Sequence, residues 1–251
     1  MPFNVGGQIL NNLQVKLNNT KSRLVSSKLI CHLDASFPGS YSGSGTLWYD
    51  RTNNAYNASL VNGPTYNSGN GGYIQCDGSN DVLMLYSSGQ YNFGTGNFGI
   101  GMWINTTATT GNIFQTYNCC SSYGSGVSAT GKFSFGFRDD SCNNNPNAIT
   151  PLSYNNGSWY YAFFQRVSGT AEIYINGSLV ASNTVGGGSN VNISNGSLQI
   201  CNASSNACPV INCNNEGPLA AKIGAVHIYN KSLTADEIII NFDATKTRFG
   251  Y

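Results

Sequence analysis

Charge, long apolar runs and basic clusters are scarce in this sequence. Asp, Glu, Lys and Arg make up 9% of its 251 residues, against about 25% in an average soluble domain. The formal net charge is +1 and no Lys/Arg cluster occurs, so the attraction that supplies most nucleic-acid affinity is missing. No apolar stretch approaches the roughly 18 to 20 residues needed to cross a bilayer. We therefore expect neither nucleic acid nor a membrane as a partner.

Histidine is scarce as well, and the start of the sequence does not resemble a leader segment. Only His32 and His227 occur, so neither an H-E-x-x-H motif nor a His-rich metal site can be built. The first ten residues, MPFNVGGQIL, lack the charged and apolar regions of a signal peptide. Residues 1–27 are polar with scattered aliphatics and show no sustained helical or strand period. We expect them to form an extended N-terminal arm, held by a neighbouring subunit or by the domain itself.

Cysteines are present in an even number, eight. Six fall in two loop-like clusters rich in Asn, Ser and Pro: Cys119, Cys120 and Cys142, then Cys201, Cys208 and Cys213. These surroundings favour disulfides over free thiols or a metal, and the pairing stays open. Cys31 and Cys76 lie in apolar strands, where buried thiols are expected. Disulfides without a leader indicate either a removed leader or a virion protein oxidised after lysis, and retention of Met1 favours the second.

From Leu29 onward, short alternating runs are separated by Gly, Asn and Ser turns. Residues 98–104 alternate Phe, Ile, Met and Ile with Gly, Gly and Trp, which predicts a half-buried strand. Residues 159–167 are apolar on both faces, as expected of a central strand covered on two sides. Asn176 and Gly177 stand between two further runs and predict a two-residue hairpin.

Near the C-terminus, Thr234 and Glu237 form a capping box ahead of the apolar Ile238, Ile239 and Phe242, which predicts one short helix. About a dozen short strands with a single helix indicate an all-β, two-sheet antiparallel β-sandwich. At this length one domain is the expectation, so residues 28–251 are predicted to form a single sandwich behind the arm.

The order of these segments resembles a known family. The stretch LICHLDAS, followed by SYSGSGTLWYDRTNNAYNASLVNGPTYNSGNGGYIQCDGSNDV, is similar to the opening of laminin G-type (pentraxin-like) domains of the concanavalin A-like lectin/glucanase superfamily, above all those of tailed phages and large viruses. The later segments NFGIGMWIN, GSWYYAFFQR, AEIYINGSLV and KIGAVHIYNKSLTADEIIINFDATKTRFG follow in the family's order.

The resemblance implies a jelly roll of two curved sheets, with carbohydrate or protein contacts on a concave face or on rim loops. In the phage members it also implies a virion-associated role, often as a head or tail decoration. One scaffold hosts many functions, so the resemblance is specific for the fold and weak for the activity.

Glycoside hydrolysis must be weighed, because the superfamily includes endoglucanases. A retaining mechanism needs two carboxyl groups about 5 to 5.5 Å apart, and the family's Glu-x-Asp-x-x-Glu run is absent. Glu172 is the one strand carboxylate in a plausible place, and a single carboxylate is more often a solvated strand residue. We therefore predict a protein that is not an enzyme and requires no cofactor.

A sugar needs an exposed aromatic plane beside a few hydrogen-bonding groups. If Phe98 faces the core, Trp103 points to the opposite face, where Arg138, Glu172 and Tyr174 could join it from neighbouring strands. These four are the predicted ligand-binding residues. The alternative, which we favour slightly, is that Trp103 packs under the arm or against another subunit.

Calcium is the candidate metal, because related lectin-like domains often hold it with loop oxygens. Asp77, Asn80 and Asp81 are the predicted ligands at one turn, with Asp139 and Asp140 as a second pair. Capping of the turns by Asx side chains is the simpler explanation, and we favour it.

Two functions follow as hypotheses, and glycoside hydrolysis is kept as a remote third only because the fold permits it. The first is a structural or decorating protein on a virion surface, anchored to other assembly proteins through residues 1–27 and forming an oligomer there. The second is a carbohydrate-binding adhesin or lectin module, extracellular or on the same particle, which attaches to surface glycans.

Overall fold

The computed structural model of the chain describes residues 23–86, 88–116, 122–138, 144–184, 197–202 and 217–251, with the backbone alone at residues 144 and 145. Strands dominate these residues and form two antiparallel sheets of eight strands each. Their bounds are β1 (Leu29–Asp34), β2 (Leu47–Trp48), β3 (Ala58–Val61), β4 (Thr65–Asn67), β5 (Tyr73–Asp77), β6 (Val82–Leu85), β7 (Phe98–Thr106), β8 (Gly111–Thr116), β9 (Ser122–Val127), β10 (Phe133–Arg138), β11 (Asn144–Ile149), β12 (Trp159–Val167), β13 (Thr170–Ile175), β14 (Ser178–Thr184), β15 (Leu198–Ile200) and β16 (Ala220–Tyr229).

The first sheet follows the order β14, β13, β12, β7, β16, β5, β4, and β1 also pairs with β16. Because β5 pairs with residues 220–223 of β16 and β1 with residues 225–229, these two strands follow one another along the same side of β16. The second sheet follows the order β11, β10, β9, β8, β15, β6, β3, β2. The predicted two-sheet antiparallel sandwich is confirmed.

The core lies between the inner faces of the two sheets. In the first sheet β7 contributes Phe98, Ile100 and Met102, each fully buried, as their alternation predicts. In the second sheet β10 contributes three phenylalanines, and Phe135 meets Phe98 with ring centroids 6.2 Å apart. Each fully buried side chain of this size stabilises the fold by about 1.5 to 3 kcal/mol, so the two layers are joined mainly by apolar burial.

The predicted hairpin joins β13 to β14. Asn176 and Gly177 have φ angles of 52° and 86°, the pair of positive values that a type I′ turn requires. The Asn176 side-chain oxygen also accepts a hydrogen bond from the backbone N–H of Tyr161, at 2.9 Å. The turn is therefore fixed to the neighbouring strand as well as being locally favoured.

The predicted helix is α1 (Ala235–Thr245). Its capping box is complete, because the Glu237 backbone N–H donates to Thr234 Oγ1 and the Thr234 backbone N–H donates to the Glu237 carboxylate. A short 3-10 helix, Lys246–Phe249, follows it, and another occupies Gly69–Gly71. Among the described residues, none of the helices is both long and apolar enough to span a bilayer.

The predicted arm lies mostly outside the described residues, which begin at Arg23. Its last part contacts the sandwich at Val25. The Val25 backbone N–H donates to the side-chain oxygen of Asn241 at 2.9 Å, and the Tyr229 hydroxyl donates to the Val25 carbonyl at 2.9 Å. The chain therefore enters the sandwich on the side of the first sheet that carries α1.

Candidate functional site

The outer face of the first sheet carries a second apolar layer. Its buried members come from β5, β7, β12, β13 and β16 and from the C-terminal segment: Tyr73, Trp103, Trp159, Tyr161, Phe163, Tyr174, Ala225, Tyr229, Leu233, Ile238 and Phe249. Helix α1 and the 3-10 helix behind it cover most of this layer. The part of the outer face that these helices leave uncovered is therefore the surface available to a ligand.

Trp103 lies under the C-terminal segment, and its predicted role as an exposed sugar-stacking plane is wrong. It is fully buried, and its ring stacks on Phe249 with centroids 4.1 Å apart and planes 18° apart. Its indole N–H donates to Thr245 Oγ1 at 2.7 Å. Trp103 is covered, as the alternative interpretation expects, but the cover that the structure describes is the C-terminal segment, where that interpretation names the arm or another subunit.

Glu172 and Tyr174 do lie on the same outer face, joined by a hydrogen bond. The Tyr174 hydroxyl donates to Glu172 Oε2 at 3.1 Å, and the Gln165 side-chain amide donates to the same oxygen at 2.8 Å. Burial, together with the Glu172 carboxylate, raises the pKa of Tyr174 to about 12. Gln165 in turn accepts from the Leu233 backbone N–H, so this network fixes the approach to α1. A ligand-binding role for the pair stays a prediction.

Arg138 is not part of that face. It ends β10 of the second sheet, opposite Ser122 of β9, whereas Glu172 belongs to β13 of the first sheet. The period-two pattern correctly turns Arg138 away from the core, but onto the outside of the other layer. The predicted grouping of Arg138 with Glu172 and Tyr174 is therefore wrong.

The predicted calcium ligands cap a turn. Asp77 Oδ1 accepts from the Ser79 backbone N–H at 2.7 Å, and Asp81 Oδ2 accepts from the Asp77 backbone N–H at 2.9 Å. The backbone carbonyl of Asn80 accepts from the Asn62 side chain. Within the described parts of the chain, no three His, Cys, Asp or Glu side chains gather as a metal site. Asp139 and Asp140 lie outside those parts, and calcium binding stays a prediction.

Three cysteines are described, and all are buried free thiols. Cys31 and Cys76 confirm that expectation. Cys201, predicted as a disulfide candidate, is also a free thiol, and its side chain hydrogen-bonds with Cys76, which together with burial raises the pKa of Cys76. The remaining disulfide candidates, Cys119, Cys120, Cys142, Cys208 and Cys213, lie outside the described residues.

A polar row crosses the open end of the outer face. Strand pairing places Asn105 of β7 opposite Lys222 of β16, and Lys222 opposite Gln75 of β5. These three side chains, with Thr107 and Gly157, line a groove of about 360 Å³ that we call the amide groove. Its further lining residues are Cys76, Thr106, Ala220 and Ala221. Three adjacent strands therefore present hydrogen-bonding groups side by side.

The amide groove keeps hydrogen-bonding capacity that the fold does not use. The Asn105 side-chain N–H₂ donates to the Gly157 carbonyl, which directs its amide oxygen away from that bond. Lys222 has its ammonium 5.6 Å from the centre of the Tyr73 ring and forms no ion pair with the described residues. Gln75 and Thr107 are exposed. The groove therefore offers amide, ammonium and hydroxyl groups, although Asn105 is only 7% exposed.

Sequence reasoning missed Asn105, Lys222 and Gln75, although a signal was present. Each lies between inward-facing residues of an alternating strand, as Gln75 does between Ile74 and Cys76. Alternation alone places them on the outer face. Their meeting in one row depends on strand order, which no single strand reveals.

Comparison with models of known protein families identifies the family of this chain. The laminin G family model described as the concanavalin A-like lectin/glucanases superfamily matches residues 68–239. The chain belongs to this family. A comparison with curated proteins finds no significant match.

Similar solved structures are jelly-roll binding domains. This laminin G-type chain is 18% identical to the binding domain of botulinum neurotoxin serotype G, with a TM-score of 0.61, covering 85% of this chain and 50% of that one. It is 17% identical to the binding domain of botulinum neurotoxin DC in complex with SialylT, with a TM-score of 0.62 and coverages of 87% and 52%.

A third structure bears the statement that cell entry of botulinum neurotoxin type C depends on interaction with two ganglioside molecules. It is 16% identical with a TM-score of 0.61, covering 91% of this chain and 53% of that one. The chain thus spans about half the length of the structures it matches. At such identities the likeness shows the fold alone.

Proposed function

We propose that this laminin G-type domain is a non-enzymatic carbohydrate-binding module and that the amide groove holds the saccharide. The observation that carries the proposal is the row of Asn105, Lys222 and Gln75 across three adjacent strands. Because neighbouring strands lie about 4.8 Å apart, the three side chains of such a row can contact different hydroxyl groups of one saccharide.

The chemistry of the groove supports a neutral polar ligand. Amides both donate and accept hydrogen bonds, and the Lys222 ammonium donates three. The mostly buried Tyr73 ring lies behind the lining, with its centre 5.6 Å from the Lys222 ammonium. Shallow grooves with few fixed polar groups bind weakly, so we expect affinities in the millimolar to micromolar range for single sugars.

A binding role also agrees with the chemistry of Glu172. Its carboxylate accepts hydrogen bonds from an amide and a phenol, which suits a structural brace. We propose that the domain has no hydrolytic activity, and incubation with labelled oligosaccharides followed by product analysis tests this directly.

The first experiment is a glycan array with the wild-type chain, followed by titration calorimetry of the best ligand. We expect Lys222→Ala and Gln75→Ala each to weaken binding about fivefold to tenfold, since each removes one hydrogen bond to the ligand. Lys132→Ala is the matched control, because Lys132 precedes β10 in the second sheet and lies away from the groove.

Two results would contradict the proposal. One is an array without any ligand at millimolar concentration. The other is a ligand whose affinity is the same for Lys222→Ala, Gln75→Ala and the wild type, which would place the binding site elsewhere.

As a second proposal, we retain a decorating role on a virion or another extracellular assembly, with residues 1–27 as the anchor. The supporting observation is the pair of hydrogen bonds at Val25, which fixes the last part of this segment to the sandwich. Deleting residues 1–22 keeps these bonds. We expect the deletion to abolish incorporation into particles while thermal stability and glycan binding stay unchanged; unchanged incorporation would remove the anchor.

A further inference from the structure

A second cavity lies on the outer face of the first sheet, beside the half of β16 that pairs with β1. It has a volume of about 360 Å³ and is bordered by the segment before β1, by β1 itself, by Arg51 and by the end of α1. We call it the basic pocket, and it is lined by Arg23, Leu24, Leu29, His32, Asp34, Arg51, Ala244 and Thr245. The amide groove lies at the opposite end of β16.

Positive charge exceeds negative charge in and behind this pocket. Asp34 is shared by two guanidinium groups, Arg248 at 2.7 Å and Arg51 at 3.3 Å. The shorter contact is with Arg248, so Asp34 neutralises Arg51 only in part. Arg23 is exposed and forms no ion pair with any described residue. The pocket therefore presents two guanidinium groups, those of Arg23 and Arg51, that can still donate hydrogen bonds to an anion.

Asp243, next to the lining residue Ala244, pairs with Lys246. Asp50 is a further carboxylate near the pocket, and backbone N–H groups and the Thr52 hydroxyl occupy it. Its Oδ1 accepts from the backbone N–H groups of His32 and Thr52, and its Oδ2 accepts from the Tyr56 backbone N–H and the Thr52 hydroxyl. Its oxygens are thereby directed into the turn after β2. Asp50 lowers the positive potential without blocking the arginines.

His32 adds a polar wall without adding charge. Burial, reinforced by Arg51, lowers the pKa of His32 to about 4, so its imidazole is neutral at pH 7. The ring packs edge-on against His227, with centroids 4.9 Å apart. Leu24, Leu29 and Ala244 supply apolar walls, which strengthen any ionic hydrogen bond made between them.

We propose that the basic pocket binds the carboxylate of an acidic sugar, with Arg23 and Arg51 donating to the carboxylate and the leucine walls contacting the sugar ring. Guanidinium groups suit this ligand because their planar forks match the geometry of a carboxylate. The inference rests on the proposed function for the sugar ring alone; the carboxylate contact follows from the two arginines.

The test uses three small probes and the whole chain. Glucuronate and glucose differ by one carboxylate, and acetate is a carboxylate without a sugar. We expect calorimetry or NMR titration at low salt to show glucuronate binding about tenfold more tightly than either glucose or acetate. The advantage should shrink in high salt, because exposed ionic contacts are screened.

Variants assign the binding to the pocket. Arg23→Gln removes an exposed side chain without a described ion pair, so the fold should be kept, and we expect it to abolish most of the preference for glucuronate. Arg51→Lys keeps the charge but loses the planar fork, and we expect about a fivefold loss. Lys132→Ala, just before β10 in the second sheet, is the control because Lys132 lines neither the amide groove nor the basic pocket, and it should leave glucuronate binding unchanged.

The proposal is overturned if glucuronate and glucose bind equally, or if Arg23→Gln and Arg51→Lys both bind glucuronate like the wild type. Acetate binding as tight as that of glucuronate would overturn the assignment to an acidic sugar. Neutral saccharides that fail to bind, while glucuronate binding still depends on Arg23, would remove the function proposed for the amide groove and leave the basic pocket standing.

Discussion

At the scale of single residues, the two histidines show how burial determines chemistry. His227 is fully buried, with Nδ1 3.2 Å from the Tyr161 hydroxyl. Burial first, and then the nearby His32, lowers the pKa of His227, and the pKa of His32 is lowered to about 4. Both rings are therefore neutral in the folded protein near pH 7, and they provide packing and hydrogen bonds.

These lowered pKa values predict destabilisation by acid. In the unfolded chain His32 titrates near 6.5, whereas in the folded chain it titrates near 4, so the unfolded state binds more protons between these values. Stability is complete above about pH 6.5 and falls as the pH decreases towards 4. For His32 the loss by pH 4.5 is about 2 to 3 kcal/mol.

Urea denaturation at pH 7 and pH 4.5 measures this loss. Asp34, whose pKa is held below 3.8 because Arg248 and Ser36 outweigh its burial, contributes its own loss at still lower pH. Arg51 and Arg248 also lower the pKa of His227 through their positive charge. In the His32→Gln variant the unfolding free energy should depend less steeply on pH. An equally steep dependence in this variant would contradict the assignment to His32.

At the scale of elements, Gly224 allows the C-terminal segment to approach β16. It lies at an irregularity of the pairing between β16 and β7, and a Cβ atom there would come within 2.5 Å of the Phe249 ring. Phe249 stacks on Trp103. Because Gly224 has no side chain, the Phe249 ring has room beside β16 to cover Trp103 of β7.

Gly224→Ala should push Phe249 outward and cost about 1 to 3 kcal/mol of unfolding free energy, as overpacking does. Phe249→Leu provides the partner for a double-mutant cycle. Because the smaller side chain leaves room for the new methyl group, we expect the double variant to lose less than the sum of the two single losses. Additive losses would show that the two positions do not interact.

Elements whose signal is local could be predicted from the sequence. The Asn176–Gly177 hairpin and the Thr234 capping box depend on residues within a few positions of each other, and both are present. The sandwich itself follows from alternation, which separates inward from outward residues. Alternation does not reveal which sheet a strand joins or which distant segment covers it. It therefore cannot place Arg138 in the second sheet, nor identify the C-terminal segment as the cover of Trp103.

At the scale of the whole molecule, Arg248 joins three regions that are distant in sequence. Its guanidinium pairs with Asp34 of β1 and donates to the carbonyls of Asn70, Gly72 and Gly224. It therefore links the first strand, the loop before β5 and the last strand to the C-terminal segment. Such a partly buried, fully hydrogen-bonded cation is expensive to lose, because its partners are left unsatisfied.

Arg248→Gln should lower the unfolding free energy by about 2 to 4 kcal/mol. Lys246→Gln is the matched control, because the ion pair of Lys246 with Asp243 at 2.6 Å is more exposed and should contribute at most about 1 kcal/mol. Thermal or urea denaturation of both variants measures the difference. Equal losses in the two variants would mean that Arg248 does not hold the regions together.

Val25 and Tyr251 are both held on the outer face of the first sheet. The Tyr229 hydroxyl donates to the Val25 carbonyl, and the Tyr251 hydroxyl donates to the Trp159 carbonyl at 2.6 Å. A segment fused after Tyr251 would therefore begin on the face that carries the amide groove and the basic pocket. A short spacer would hold both openings close to the fused partner, whereas a long spacer would leave them accessible. The length of the spacer alone can therefore tune how readily a bulky glycan reaches them.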